Sequence, residues 1–369
     1  MTFTCDTNLL SACIQNAQKA VSTKNTLPVL EGVLLHTESD RLTVTGFDME
    51  IGITQQMPCS CREDGNLVLN ARMFGDMIRN LDAPTVSIEN TDSFVVKIIG
   101  GKTEYTMLGL DAADYPVLPS FETDMELELP QAMLKQMIRQ TIFSVGTNEN
   151  KPIQMGILFE LKDHTLRLVT CDGCRLAIST EQIDCDGELK VIIPGRTMNE
   201  LSRLLSDDGE EKVQIRVGKK HVCFKVGSCQ MISRLLEGNF IEYQAAIPNT
   251  ESTIVRVKAR DLIRSIDKTA LILTERTKSS IRFRIGDGLI RTNCQTGLSN
   301  ANDEISAHIQ GEPLKIGFNA KFINDALKAC ECDEVILKLS DPLKPVRILP
   351  VEGESFLFLI MPVRMKDED

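Results

Sequence analysis

The chain has no tryptophan and only three tyrosines, and aromatic residues make up 5% of its 369 positions. So little aromatic surface offers no platform on which unstacked bases could be read. Histidine is almost as scarce: His36, His164, His221 and His308 are the full set, and none falls in a metal-ligand or triad spacing. No apolar run approaches the roughly 20 residues that span a bilayer, so no membrane is expected as a partner. A net charge of -11 excludes a protein that coats its whole surface with nucleic acid. The opening stretch MTFTCDTNLL has neither the basic start nor the apolar core of a signal peptide. Twelve cysteines scattered without regular spacing are therefore expected to be reduced thiols of a cytoplasmic protein, not a disulfide framework.

What is present is ordinary globular material, 42% apolar and 25% charged, in a length that holds two to three domains. It is also repetitive. Six segments share a pattern of apolar residues at i, i+1, i+4 and i+5, one face of a short helix, with the fourth a weaker copy. They begin at Leu9-Leu10, Met73-Phe74, Met133-Leu134, Thr197-Met198, Leu262-Ile263 and Phe322-Ile323, about 60 residues apart. Between them lie alternating, β-branched stretches such as RLTVTGF, TLRLVT and VILKLS, which read as strands. A longer period overlies the first: Asp48, Asp172 and Gln295 close similar strand-end turns, 124 and then 123 residues apart. Proline-containing polar stretches near residues 120 and 248 fit the same division. The expectation is an α+β fold of three similar domains, 1–122, 123–249 and 250–369, each with two helices and antiparallel sheets.

Charge follows the repeat. Arg72 and Arg79, Arg196 and Arg203, and Lys321 and Lys328 are pairs seven residues apart at matching places in helices two, four and six. Seven residues is nearly two helical turns, so each pair shares a face. Lys135 with Arg139 and Arg264 with Lys268 do the same at a spacing of four. The six helical segments hold 13 basic and 5 acidic residues, a local excess of +8 that leaves -19 for the rest of the chain. Polar helix faces commonly carry charge, but five repetitions of one placement point to a shared anionic partner. A ring with helices inside and sheets outside presents equivalent helix faces to one anion. Twelve helices from two copies, spaced about 10 Å apart, enclose a circle about 38 Å across with about 28 Å clear. A DNA duplex fits loosely in such a hole.

The stretches TLPVLEGVLL, GFDMEIG, LDAADYPVLP, CDGCRLAIS, VIIPGRTMNELSRLL, EGNFIEYQAAIP, IGFNAKFINDAL and the terminal MPVRM run through the whole chain in the order of one family. In them the sequence resembles the bacterial sliding clamps, the β subunit of DNA polymerase III. The resemblance implies a head-to-tail homodimer closed around duplex DNA without sequence preference. It implies partner proteins too: the polymerase III alpha subunit, the clamp loader delta subunit and other proteins with a clamp-binding motif.

For DNA contact the resemblance points to Lys24, Arg72, Asn148, Lys151 and Arg196, beside the helix-face cations above. For the partner-peptide pocket it points to Cys171, Gly173, Cys174, Arg175, Leu176, Ile241, Asn319, Phe322, Leu343, Pro345, Leu359, Ile360, Met361, Pro362, Val363 and Arg364. For the subunit contact it points to Tyr105 and Met107 on one side and Ile272 and Leu273 on the other. The chain departs from the family pattern at Cys174, Ile241, Ala245 and Lys278, where histidine, proline, arginine and an aromatic are frequent.

Catalytic motifs are weak by contrast. GGKT at Gly100 to Thr103 lacks the glycine five positions before Gly101 that a phosphate loop needs, and reads as a hairpin turn. CDGC at Cys171 to Cys174 has no second pair at finger spacing, and CSC and CEC have no matching histidines. The expectation is a non-catalytic subunit without cofactor or metal. The alternative is a repeat-built interaction scaffold unrelated to DNA. The apolar run FLFLIMPV near the end reads either as a core-closing strand or as a peptide-binding wall, and a strand has two faces with which to do both.

Overall fold

The structure, a computed structural model, describes residues 1–22, 27–91, 94–273 and 280–365. Lys24, Lys278 and the acidic stretch 366–369 lie outside the described residues. Among them run six α-helices: α1 (Thr7–Gln18), α2 (Ala71–Arg79), α3 (Gln131–Ile142), α4 (Gly195–Ser202), α5 (Ala259–Ala270) and α6 (Ala320–Ala329). They fall on the six repeat segments.

Local chemistry explains where several begin. Asp6, Asn70 and Asn319 each stop a strand and cap the helix that follows, accepting the amides of Leu9 at 2.8 Å, Met73 at 3.0 Å and Phe322 at 3.4 Å. In the first two apolar doublets the second residue does most of the burying. Leu10 and Phe74 are fully buried, whereas Leu9 and Met73 are about half exposed.

The strands form four sheets. Packing divides the chain into two compact units, residues 1–132 with 200–235, and 133–199 with 236–369. In the first unit, a five-stranded sheet ends at Thr103–Leu108, and an eight-stranded sheet is joined where Ile51–Pro58 pairs with Cys229–Arg234. In the second, a nine-stranded sheet is joined where Arg175–Gln182 pairs with Phe356–Ile360. A four-stranded sheet there runs Asn300–Ser306, Leu289–Gln295, Ile281–Gly286, Leu314–Phe318. Each joint pairs strands about 180 residues apart in sequence. The hydrogen-bonded ladder, not the repeat, therefore sets the two compact units.

Each unit has its own core. Leu10, Ile14, Phe74, Val86 and Ile98 belong to one large cluster, and Leu262, Ile266, Phe283, Phe318 and Phe358 to another. The sequence alignment of the three strand-end turns needs one correction. Asp48 accepts the amides of Glu50 and Ile51, and Asp172 those of Cys174 and Arg175. In the third copy the acceptor is the hydroxyl of Thr296, bonded by Leu298 and Ser299, and not Gln295. Gln295 is the last residue of its strand. A hydroxyl replaces the carboxylate, which hid the match.

Candidate nucleic-acid and peptide surfaces

All but one of the helix-face cations are exposed, and five of the ten face an acid. Arg79 lies 3.3 Å from Asp76, Arg203 3.1 Å from Glu200 and Arg139 3.7 Å from Glu331. Lys268 lies 3.2 Å from Asp303, and Lys328 4.0 Å from Asp267. Glu331 and Asp303 stand outside the helical segments, so counting charge along helices could not reveal them. Exposed pairs of this kind contribute about 0–1 kcal/mol and exchange readily for another anion. Arg72, Arg196, Arg264 and Lys321 are exposed, and Lys135 is half-buried. Arg72 and Arg79 line one shallow depression with Gln18 and Asn70. Asn148 and Lys151 sit in an exposed turn closed by the Asn148 side chain, which accepts the Asn150 amide at 3.0 Å. Lys19 donates to Asn16 at 2.9 Å, and burial holds its pKa below the ordinary lysine value.

The terminal segment is built from the nine-stranded sheet. Phe356, Phe358 and Ile360 point into the large core of their unit, while Leu357 and Leu359 face a smaller cluster with Leu158, Leu176 and Tyr243. Both faces of the strand are thus committed. Beyond Ile360 the chain leaves the core: the Met361 amide donates to the Cys174 carbonyl at 2.9 Å, and the Val363 amide to the Gly317 carbonyl at 2.8 Å. Met361 and Val363 are 44% and 38% exposed, and Ile241 and Leu343 are 39% and 59%. Gly173, Cys174, Asn319 and Arg364 are exposed as well, with Phe322, Pro345 and Pro362 partly so. Cys171, Leu176, Leu359 and Ile360 are buried beneath them. The sixteen residues separate into an apolar surface and the floor that supports it.

Arg175 holds this region in shape. Its guanidinium donates to Asp172 and Asp325 at 2.9 Å each, and lies 4.4 Å from the Phe322 ring and 5.5 Å from that of Phe143. A cation so engaged fixes the strand-end turn against α6 and has little left for a ligand. Gly173 in that turn has φ +93, a conformation glycine reaches without the strain a side chain would bring.

For the subunit contact, Tyr105 and Met107 lie on the edge strand Thr103–Leu108, where both pack on the core of the first unit. Glu104, Thr106 and Leu108 are the exposed residues there, and Leu108, the apolar one, is 68% exposed. Ile272 and Leu273 pack partly against the core of the second unit, while Leu271 beside them is 81% exposed. Leu108, Leu271 and the edge strand Asn300–Ser306 were not among the residues the sequence pointed to, and the alternation of exposed and half-buried residues along that edge was its only signal.

GGKT is a hairpin turn with Gly100 opposite Thr103. All twelve cysteines are free thiols, and no group of three or more potential ligands that could hold a metal ion occurs among the described residues. No described helix is long and apolar enough to cross a membrane.

Solved structures assign the architecture to the class of DNA clamps. The DNA polymerase sliding clamp of Bacillus subtilis superposes with a TM-score of 0.95 at 31% identity, covering 99% of this chain and 100% of that one. A DNA polymerase III beta subunit structure from Eubacterium rectale does so at 0.94 and 31%, with the same coverage. Sequence models of the DNA polymerase III beta subunit match residues 1–119 with its N-terminal domain, 128–242 with its central domain and 244–364 with its C-terminal domain. The beta sliding clamp of Bacillus subtilis is 31% identical over 377 residues, covering 99% of this chain and all of that protein. The chain belongs to the DNA polymerase III beta subunit family, the bacterial sliding clamps. Its function is that of the family: a processivity factor that encircles duplex DNA.

Proposed function

We propose that two copies of this chain close head to tail into a ring, with Thr103–Leu108 of one copy meeting Asn300–Ser306 and the Leu271–Leu273 segment of the other. Two open strand edges with exposed leucines beside them support this reading. Three clamp domains, 1–122, 123–249 and 250–369, then turn α1 to α6 toward the duplex. Arg72, Arg79, Lys135, Arg139, Arg196, Arg203, Arg264, Lys268, Lys321 and Lys328 contact phosphates, joined by Lys24, Asn148 and Lys151. The exchangeable carboxylate partners of several cations suit sliding, since contact is loose, salt-sensitive and blind to sequence.

The apolar surface around Met361 and Val363 takes the clamp-binding peptides of the polymerase alpha subunit, the clamp loader delta subunit and repair proteins, on a floor made by Leu176 and Leu359. Chemistry at the primer end belongs to the polymerase, so the chain is a non-catalytic cytoplasmic subunit. The repeated placement of cations on five helices carries the reading. Its test is retention on nicked circular plasmid after loading by the clamp loader, with half the sample then linearised. Loss from the linear half alone is the expected result. Equal retention on both would mean ordinary surface binding, or a scaffold that needs no DNA.

A further inference from the structure

The four-stranded sheet of the second unit buries Ile281, Phe283, Ile285 and Ile316 on one face and turns a cationic face outward. Its register sets Lys315 directly opposite Arg284, and Arg284 directly opposite Arg291. Arg282 lies in the next row, opposite Gly317. Like charges on directly opposed residues, with Cβ atoms about 5 Å apart, oppose strand pairing. Within the ladder Glu304 lies 3.4 Å from Arg291, with Asp287 at 3.9 Å from the adjoining turn, and Arg282 has a partner of its own. Arg284 therefore stands between two cations in a chain of net charge -11. Arg282, Arg284 and Arg291 line a depression of about 610 Å³, closed on its other side by Asn302, Asp303 and Glu304 of the Asn300–Ser306 edge.

This face adjoins the apolar terminal segment. Val363 bonds the Gly317 carbonyl, and a Cβ on Gly317 would come 2.9 Å from Met365 Cγ and 3.1 Å from Val363 O. The glycine is what lets the segment lie on the end strand of the cationic sheet. From Gly317 the Arg282 strand is one spacing away, about 4.8 Å, and Lys315 lies about 7 Å along the strand. A peptide seated by Met361 and Val363 thus reaches the cations within a few residues.

We propose that this sheet face docks an acidic stretch flanking the apolar core of the partner peptides, so that the clamp reads charge beside the hydrophobic motif. This rests on the peptide-surface reading above. An acidic peptide fits better than nucleic acid, since the described outward face offers no aromatic ring for base stacking and is continuous with an apolar surface.

The test measures fluorescence anisotropy on the full chain with labelled peptides. Each has a leucine-phenylalanine core with four aspartates, before or after it, or four asparagines in their place. At low salt one aspartate peptide is expected to bind at least about fivefold tighter than its asparagine twin. That gain should vanish in the Arg284→Gln/Lys315→Gln double variant and in high salt, with the asparagine peptide unaffected. Equal affinities in both placements, or a gain that survives the double variant, overturn the proposal. Equal affinities with tighter binding of both peptides after deletion of residues 366–369 assign the face to the chain's own acidic stretch, which also overturns it. A single-stranded oligonucleotide that displaces the aspartates assigns it to nucleic acid instead. An aspartate gain that persists in Met361→Asp sinks the peptide-surface reading alone, and no binding by any peptide sinks both.

Discussion

The joint of the eight-stranded sheet and the joint of the nine-stranded sheet are two copies of one construction with opposite endings. In the first, the turn at Asp48 leads into Ile51–Pro58, which pairs with Cys229–Arg234, and the Arg234 amide donates to the Glu50 carbonyl at 3.1 Å. In the second, the turn at Asp172 leads into Arg175–Gln182, which pairs with Phe356–Ile360, and the Met361 amide donates to the Cys174 carbonyl at 2.9 Å. The hydrogen bonds match, and the side chains do not. Position three of the turn is Ile51, 1% exposed, in one and Arg175, held by two carboxylates, in the other. The residues that meet at the end of the ladder are Glu50 and Arg234 in one, Cys174 and Met361 in the other. A backbone frame built for sheet continuity ends in charge at one joint and in an apolar surface at the other, and the second is the one proposed to bind peptides.

The largest effect that sharpens this contrast comes from the third turn position. Arg175→Ala leaves Asp172 and Asp325 facing each other without their shared cation, from a side chain only 10% exposed. Breaking such a pair destabilises by about 3–5 kcal/mol. Ile51→Ala at the matching place leaves a cavity and costs about 2–5 kcal/mol. Urea unfolding should show both losses, but only Arg175→Ala should also abolish peptide binding under conditions where the fold persists. If Ile51→Ala weakens peptide binding equally, the two joints are not functionally distinct.

A smaller change tests the end of the ladder. Met361→Asp puts a carboxylate on the apolar surface and is expected to weaken a leucine-phenylalanine peptide at least about tenfold, near 1.4 kcal/mol. Arg234→Asp, on the matching residue of the other joint, should leave that affinity unchanged in the same titration. Neither residue is buried, so melting temperatures should stay close to the parent.

How much of this was legible depended on which physical signal each residue carried. The helices were, because a 3.6-residue apolar period needs no tertiary context, as Leu10, Phe74 and Leu262 illustrate. The turn at Thr296 was not, because a hydroxyl and a carboxylate do the same work and one-letter alignment favoured Gln295. The joints were not legible either: that Cys229 stands opposite Gln55 is a fact of register between distant strands. The same holds for the acids beside Arg139 and Lys268. The family resemblance pointed to Arg175 for the proposed peptide surface by position, and only its partners Asp172, Asp325 and Phe322 reveal that it ties the strand-end turn to α6.

The mildest probe uses the thiols. Cys174 at the second joint is exposed, and so is Cys332 just beyond α6, whose pKa the neighbouring Cys330 thiol lowers. Burial pushes the Cys5 and Cys13 thiols up from an ordinary 9.0 to about 12, so near pH 8 they hold almost no thiolate, the form that reacts. Because their folded pKa is raised, their contribution to stability is complete below pH 9 and is lost as pH climbs toward 12. Iodoacetamide at pH 8 should therefore label Cys174 and Cys332 within minutes and leave Cys5 and Cys13 untouched until pH exceeds about 10. A saturating leucine-phenylalanine peptide should slow labelling of Cys174 severalfold and leave Cys332 unchanged, as read by mass spectrometry of tryptic fragments. Protection at Cys332, or none at Cys174, would move the peptide away from the second joint and remove the functional difference between the two.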